Sequence, residues 1–224
     1  MQEDEDQQCH FRYHPAHDYH APERAKVVAV VGIVLAAGQG SRFAASAPDA
    51  PHKLLTLIDG EPMVRRTVTS LLEGGADLCV VVVSADNEAA VQSALHGLPV
   101  TLTANPKPAR GMFSSIQCGV AHLRAEDRGV LLPGDMPYVR PETVAIVLSA
   151  AFRSGLTACA SYAGRRGHPL VISTALRDRI LQAPTDAKLN EVRSHDECLL
   201  VDVADPGVHH DVDRPDDLLQ APAE

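Results

Sequence analysis

Short, bulky apolar runs recur along this chain, separated by stretches whose apolar positions fall at helical spacing. The first run covers residues 27–36, and the clearest covers residues 78–84 (LCVVVVS). β-Branched residues without polar alternation predict strands buried on both faces. Shorter runs at 100–104, 129–132, 158–162, 170–172 and 199–203 predict further strands. Between them, residues 62–73 carry Met63, Val64, Val68, Leu71 and Leu72 near helical spacing and stop at Gly74-Gly75. Residues 87–95, 114–124, 141–154, 174–182 and 187–195 predict five more helices, one of them entered through Pro141. Alternation of this kind means βαβ units. The predicted fold is α/β, in three layers, with a mostly parallel, mixed sheet and helices on both faces.

In such sheets ligands bind beyond the carboxyl ends of the strands. The first strand ends there in Leu35-Ala36-Ala37-Gly38-Gln39-Gly40-Ser41-Arg42-Phe43, with Lys53 ten residues on. Glycines let backbone N–H groups approach phosphates, and Arg42 and Lys53 supply the neutralising charge. The pattern is not a Walker loop, which needs Gly-Lys-Ser/Thr before a helix, nor the G-x-G-x-x-G dinucleotide fingerprint. A dinucleotide-dependent oxidoreductase is disfavoured further, because no acidic residue follows at the end of a second strand at the expected spacing. A bare G-x-G also reads as a plain strand-to-helix turn; the Arg and the distant Lys favour the triphosphate.

Length and composition narrow the picture. A chain of 224 residues suits one domain, here residues 27–224, plus an appendage of residues 1–26. The net charge of −9 argues against coating nucleic acid, and no apolar run is long enough to cross a membrane. The five cysteines (Cys9, Cys79, Cys118, Cys159, Cys198) form no C-x-x-C pair, so most read as small buried hydrophobes of a reducing cytoplasm. The appendage joins an acidic cluster, Glu3 to Asp6, to His10, His14, His17 and His20. It lacks the basic start and apolar core of a signal peptide. It reads as a disordered tail; the histidine spacing also suits a transition metal, though Pro15 and Pro22 oppose a helix there.

Two acids complete the candidate chemistry. Asp135 follows a strand in Leu131-Leu132-Pro133-Gly134-Asp135-Met136-Pro137, and Asp213 lies in Asp211-Val212-Asp213-Arg214-Pro215-Asp216-Asp217. Each has a structural reading: an Asx-turn for the first and the N-cap of a last helix for the second. Together with the phosphate loop, they are the two hard carboxylates that Mg²⁺ needs while it also holds phosphate oxygens.

Taken in order, L-A-A-G-x-G-x-R-F, Lys53, Gly111-Met112-x-Ser114-Ser115-Ile116, P-G-D-M-P, Gly167-His168-Pro169 and D-V-D-x-P-D-D resemble the molybdenum cofactor cytidylyltransferase family. The similarity spans about residues 30–220. It implies a nucleotide-diphospho-sugar transferase-like fold and Mg²⁺-dependent transfer from CTP to the phosphate of a molybdopterin-type acceptor, releasing pyrophosphate. Leu35, Ala36, Ala37, Gly38, Gly40, Ser41, Arg42, Lys53, Gly111, Ser114 and Ser115 would bind the nucleotide. Arg42, Lys53 and Asp135 would be catalytic, and Asp135 and Asp213 would hold the metal. His168, placed in a β-turn before Pro169, and Asp186 would lie on the acceptor side. A molybdenum hydroxylase is the implied recipient of the product. The segment Arg110 to Ser115 separates this family from its guanylyl relatives, which carry a Gly-Pro-Leu-Ala-Gly type segment there.

The chain departs from the pattern twice. Phe113 replaces a glycine, which either reshapes the base pocket or sends a ring into the core. Residues 183–190 replace a Gly-Asp-x-Gly-Ala-Arg type segment, which bears on the acceptor. The competing readings are guanylyl transfer, transfer to a sugar phosphate, and a non-catalytic chaperone that hands the cofactor on. The intact set of Arg42, Lys53, Asp135 and Asp213 argues against the last.

Overall fold

The first apolar run folds as strand β1 (Val30–Leu35) in a computed structural model that describes residues 28–38, 40–46, 52–193 and 198–218, without the side chains of Ser41, Arg42 and Ala44. The acidic, His-rich stretch 1–26 lies outside the described residues. Side chains of β1 alternate between two cores. Val30 and Val34 face one, and Val31 and Ile33 face the other, as a strand covered on both sides requires.

After β1 come helix α1 (Ser41–Ser46), a 3₁₀ turn (Lys53–Leu55), and the short strands β2 (Leu57–Ile58) and β3 (Glu61–Pro62). Helix α2 (Met63–Glu73) follows, then β4 (Leu78–Val83), α3 (Glu88–Ala94) and β5 (Val100–Ala104). The chain continues through α4 (Met112–Val120), β6 (Arg128–Pro133), α5 (Pro141–Ser154), β7 (Thr157–Tyr162) and β8 (Arg165–Ile172). It ends with α6 (Thr174–Gln182), α7 (Leu189–Arg193), β9 (Cys198–Asp202) and two 3₁₀ turns (Pro206–His209 and Pro215–Leu218).

Seven strands form one sheet in the order β5-β4-β1-β6-β8-β7-β9. β1 pairs in parallel with β4 and β6, and β4 with β5. β8 is antiparallel to both β6 and β7, and β9 returns parallel to β7. Helices α2, α3 and α5 pack on one face through Met63, Val68, Leu71, Val91, Val144 and Val147. Helices α4, α6 and α7 cover the other through Phe113, Ile116, Leu176, Ile180 and Val192. The three-layer mixed sheet expected from the sequence is the observed fold. Among the described residues, no helix is long and apolar enough to cross a membrane.

Four expectations need correction. Helix α4 starts at Met112, ahead of the expected 114, because Gly111 turns the chain at φ +99 and caps it. It ends at Val120, where His122 N donates to Gly119 O and tightens the chain into a turn. Gly167-His168-Pro169 lies inside β8, not in a turn, with a cis bond before Pro169. The polar start Arg165-Arg166 hid this half of the strand from the apolar pattern. α7 covers only Leu189–Arg193 of the expected 187–195, and residues 194–197 lie outside the described residues. The last helix expected after Asp213 is a single 3₁₀ turn.

Leu132 of β6 is fully buried in the core against α2 and α5. Leu132→Ala is expected to lower unfolding free energy by about 2–5 kcal/mol, read by urea denaturation.

Candidate active site

The carboxyl ends of β1 and β6 lie side by side because the two strands pair in register, Leu35 opposite Pro133. Gly134 N then donates to Leu35 O at 3.0 Å. A Cβ on Gly134 would stand 2.9 Å from that same carbonyl, so only glycine allows the approach. Thr67 of α2 fixes the next peptide by donating to Gly134 O at 3.1 Å. These contacts hold Asp135 just beyond β6.

Asp213 reaches the same point from the far end of the chain. Val212 N donates to Asp135 O at 2.9 Å, which sets the two acidic segments next to each other. The Asp217 carboxylate accepts from Asp213 N at 2.8 Å and Arg214 N at 2.7 Å, which shapes the turn. The sequence points to Asp213 as a metal ligand, with an N-cap as its structural alternative; its carboxylate meets Lys53, and the Asp217 carboxylate caps the backbone of residues 213 and 214.

Lys53 joins the pair. Its Nζ lies 2.8 Å from Asp135 Oδ2 and 2.9 Å from Asp213 Oδ1, although these residues are 82 and 160 positions away in sequence. The lysine side chain is only 7% exposed, against 27% for Asp135 and 33% for Asp213. Burial alone would push the ammonium pKa down. The charges and hydrogen bonds of Asp135 and Asp213 outweigh it and hold the pKa above the ordinary lysine value. Gly40 lies over the lysine stem with φ +58, and a Cβ there would come 3.2 Å from Lys53 Cβ. The glycine of the loop therefore serves the lysine as well as the backbone turn.

A cavity of about 640 Å³ opens at this junction, lined by Leu35, Gly38, Gly40, Lys53, Asp135, His168 and Asp213 among others. Ala36 and Ala37 are buried beneath it. Ser41 and Arg42 lie in α1, and their side chains lie outside the described part of the structure.

The segment Gly111 to Ser115 divides between surface and core. Met112 is exposed and lines the cavity, whereas Phe113 is buried against Ile33 and Ile116 in the core. The ring that replaces the family glycine therefore goes inward. Ser114 and Ser115 are buried, and the Asn105 amide donates to both hydroxyls at 2.9 Å. They are not N-caps; Gly111 holds that position.

Three residues that hold the site escaped the sequence reading: Asn105, Asn87 and His52. The Asn87 amide donates to Ala36 O at 2.7 Å, and its Oδ1 accepts from Ser84 N at 3.0 Å, which ties the β1 loop to the end of β4. His52 Nδ1 accepts from Leu54 N at 3.4 Å. Burial, then the nearby Lys53 charge, depress the His52 pKa against the pull of a hydrogen bond with the Gly38 backbone. The only sequence signal for His52 is its place beside Lys53; the asparagines carry none.

The acceptor-side pair separates. His168 stands in the wall of the cavity, its Nδ1 sealed from solvent with no hydrogen-bond partner among the described residues. Burial pushes its pKa down to about 4, so the ring is neutral near pH 7. Asp186 is exposed on the turn after α6 and does not line this cavity.

This sheet order, with its glycine-rich loop beyond β1, defines an α/β fold of the nucleotide-diphospho-sugar transferase type. The fold matches the crystal structure of Rv0371c from Mycobacterium tuberculosis H37Rv with a TM-score of 0.71 at 21% identity, covering 86% of this chain and 97% of that one. Residues 32–199 match the MobA-like NTP transferase domain, and the chain belongs to that family. It therefore carries a nucleotidyltransferase domain. Among its relatives is the bifunctional protein GlmU of Sorangium cellulosum, 31% identical over 66% of this chain and 32% of that protein. The chain thus spans about a third of that relative's length. The nicotine blue oxidoreductase of Paenarthrobacter nicotinovorans is 28% identical over 85% of this chain and 95% of its own length. A probable molybdenum cofactor guanylyltransferase of Thermococcus gammatolerans is 31% identical over 58% of this chain and 61% of that one.

His168 makes stability depend on pH with a defined sign. Its folded pKa of about 4 lies below the ordinary 6.5, so the unfolded chain takes up the proton first. Above pH 6.5 the residue contributes no slope; its neutral burial costs stability progressively as pH falls from 6.5 towards 4. His168→Gln is expected to flatten that part of a urea-denaturation pH profile.

Proposed function

We propose that this protein transfers the cytidylyl group of CTP to the phosphate of a molybdopterin-type cofactor, with Mg²⁺ held by Asp135 and Asp213. The observation that carries the reading is the convergence of Lys53, Asp135 and Asp213 on one point at the mouth of the glycine loop. Asp135 and Asp213 both meet Lys53 Nζ, at 2.8 and 2.9 Å, so the two carboxylates lie close enough together to share a hard divalent cation beside phosphate oxygens once Lys53 turns to the α-phosphate. Among the described residues no cluster of three or more His, Cys, Asp or Glu side chains could hold a metal, so triphosphate and water would complete the shell. When bound, Mg²⁺ supplies charge neutralisation at the phosphates.

The chain's own residues do the rest by position and charge. An oxygen of the acceptor phosphate attacks the α-phosphorus in line; the new P–O bond forms as the bond to the β-phosphate oxygen breaks, and pyrophosphate leaves. A phosphate dianion is nucleophilic without a general base, so catalysis is alignment plus electrostatic stabilisation. Gly38, Gly40 and Ser41 offer backbone N–H groups to the β- and γ-phosphates, and Arg42 takes the leaving pyrophosphate. Lys53 follows the charge that develops at the α-phosphate. The base lies against Gly111 and Met112, backed by Ser114 and Ser115, whose hydroxyls Asn105 fixes. The inward turn of Phe113 supports this placement, because the ring does not fill the base site. A molybdenum hydroxylase would receive the product.

Similarity to GlmU and to a guanylyltransferase supports a second reading, in which the same site uses another nucleotide or a sugar phosphate. Pyrophosphate release with Mg²⁺ and each of CTP, GTP, ATP and UTP decides between them. Release with CTP that depends on the molybdopterin-type acceptor is expected. Release with GTP instead, or with UTP and a sugar phosphate, moves the protein to the second reading.

Lys53→Ala and Asp135→Ala are each expected to slow turnover about 10²-fold or more with the fold intact by circular dichroism. Wild-type kinetics in both variants would remove these residues from the site.

A further inference from the structure

β8 has a second cavity on its other side. It measures about 550 Å³ and is lined by Arg166, Gly167, His168, Leu170, Leu189, Asn190, Arg193 and Cys198. Arg166, Gly167 and His168 line the first cavity too, so one short stretch of β8 is the shared wall. A molecule whose phosphate lies beside Asp135 can therefore continue past this wall without leaving the surface.

The lining of the second cavity has one sign of charge. Arg166 and Arg193 bring two guanidiniums to it, and no carboxylate lines it among the described residues. Arg193 Nη2 donates to Asn190 Oδ1 at 3.1 Å, a neutral partner that orients the guanidinium. The partly exposed Leu189 adds an apolar edge, with Leu170 of the core behind it. His168 is neutral near pH 7 and adds no further charge. On a chain with a net charge of −9, a concave patch with two arginines and, among the described residues, no acid calls for an anion. Planar guanidiniums favour oxyanions, which they can grip through paired N–H groups.

We propose that the second cavity is an oxyanion subsite, formed by Arg166 and Arg193, that holds a negatively charged group at the far end of the phosphorylated acceptor. The link to an acceptor rests on the transfer reading above; the affinity of the cavity for an oxyanion does not. The acceptor is thus a two-ended anion: a phosphomonoester that reacts in the first cavity, and a second acidic, oxygen-rich group in the other. Arg166 and Arg193 act as specificity-determining residues that touch no reacting atom.

Cys198 gives a readout independent of turnover. It is half-buried at the cavity edge, whereas Cys79, Cys118 and Cys159 are buried. The rate of Cys198 alkylation by iodoacetamide, followed by peptide mass spectrometry, is measured with and without inorganic phosphate, as a ratio within each variant. Phosphate is expected to slow alkylation in the wild type and in Lys53→Met. Arg193→Gln is expected to weaken that protection about tenfold or more, the scale of one lost charge-assisted hydrogen-bond pair. No protection in the wild type overturns the proposal. So does protection that Lys53→Met abolishes and Arg193→Gln keeps, since the ion would then act from the first cavity. With a competent acceptor, Arg193→Gln should raise the acceptor KM about tenfold while the KM for CTP stays unchanged. If no acceptor turns over, the transfer reading fails and the phosphate measurement still decides the subsite.

Discussion

A nearly buried ammonium must meet negative charge, and Lys53 meets it twice. Its two carboxylate partners come from the loop after β6 and from the last turns of the chain. A charge taken out of water costs several kcal/mol unless its partners are well placed. Lys53 can therefore lie under Gly40 only when Asp135 and Asp213 have already been brought together. The backbone bond from Val212 to Asp135, and the clamp of Asp217 on residues 213 and 214, do that. Closing the glycine loop, ordering the loop after β6 and docking the C-terminal turns are in this sense one event. A contact between side chains 160 residues apart ties the end of the chain to its first loop.

Charge then sorts the two ends of the cleft. Asp135, Asp211 and Asp213 lie around the first cavity, where a cation and a polyphosphate would meet. Arg165 and Arg166 stand on the wall, and Arg193 lies beyond it. A net charge of −9 would repel anionic substrates if it were spread evenly. It is not spread evenly: Lys53 pairs with Asp135 and Asp213, Arg165 and Arg166 stand on the wall of the same cavity, and Arg166 and Arg193 line the second cavity, where no acid lies among the described residues.

What could be read from the sequence followed how local each feature is. Strands buried on both faces announce themselves as bulky runs, so β1, β4, β5 and β6 were legible, and helix α5 came with its entry proline and αL glycine. The glycine-rich loop, Lys53, Asp135 and Asp213 stood out as a pattern, and the structure brings the last three within hydrogen-bonding distance. The paired strands β2 and β3 have two residues each, too short to show a period. Asn105, Asn87 and His52 were invisible for a different reason. Their work is to satisfy buried hydroxyls and backbone groups on other segments, which no local spacing encodes. Asp186 shows the converse: it sat in a suggestive segment, and the turn leaves it exposed and away from both cavities.

The antiparallel insertion of β8 explains why the cleft has two compartments. In an all-parallel sheet every strand reaches the ligand edge with its carboxyl end, and only loops project beyond it. β8 runs the other way: Leu170 pairs with Leu131 and Ile172 with Gly129, so its earliest residues, Arg165 to Gly167, extend past the end of β6. Strand pairing with β7 shifts register after Leu170 and resumes at Arg166 opposite Ser161 and Arg165 opposite Tyr162, which holds the tip of this overhang extended. The ligand edge thus gains a wall made of strand, held by a ladder on one side and by His209, whose ring nitrogen lies 3.0 Å from Arg165 O, on the other. A loop there would be free to close the gap between the cavities. A strand keeps them apart at fixed spacing, with Arg165 and Arg166 on the first cavity and Arg166 on the second as well. One reversed strand therefore supplies both the partition and the positive charge on either side of it.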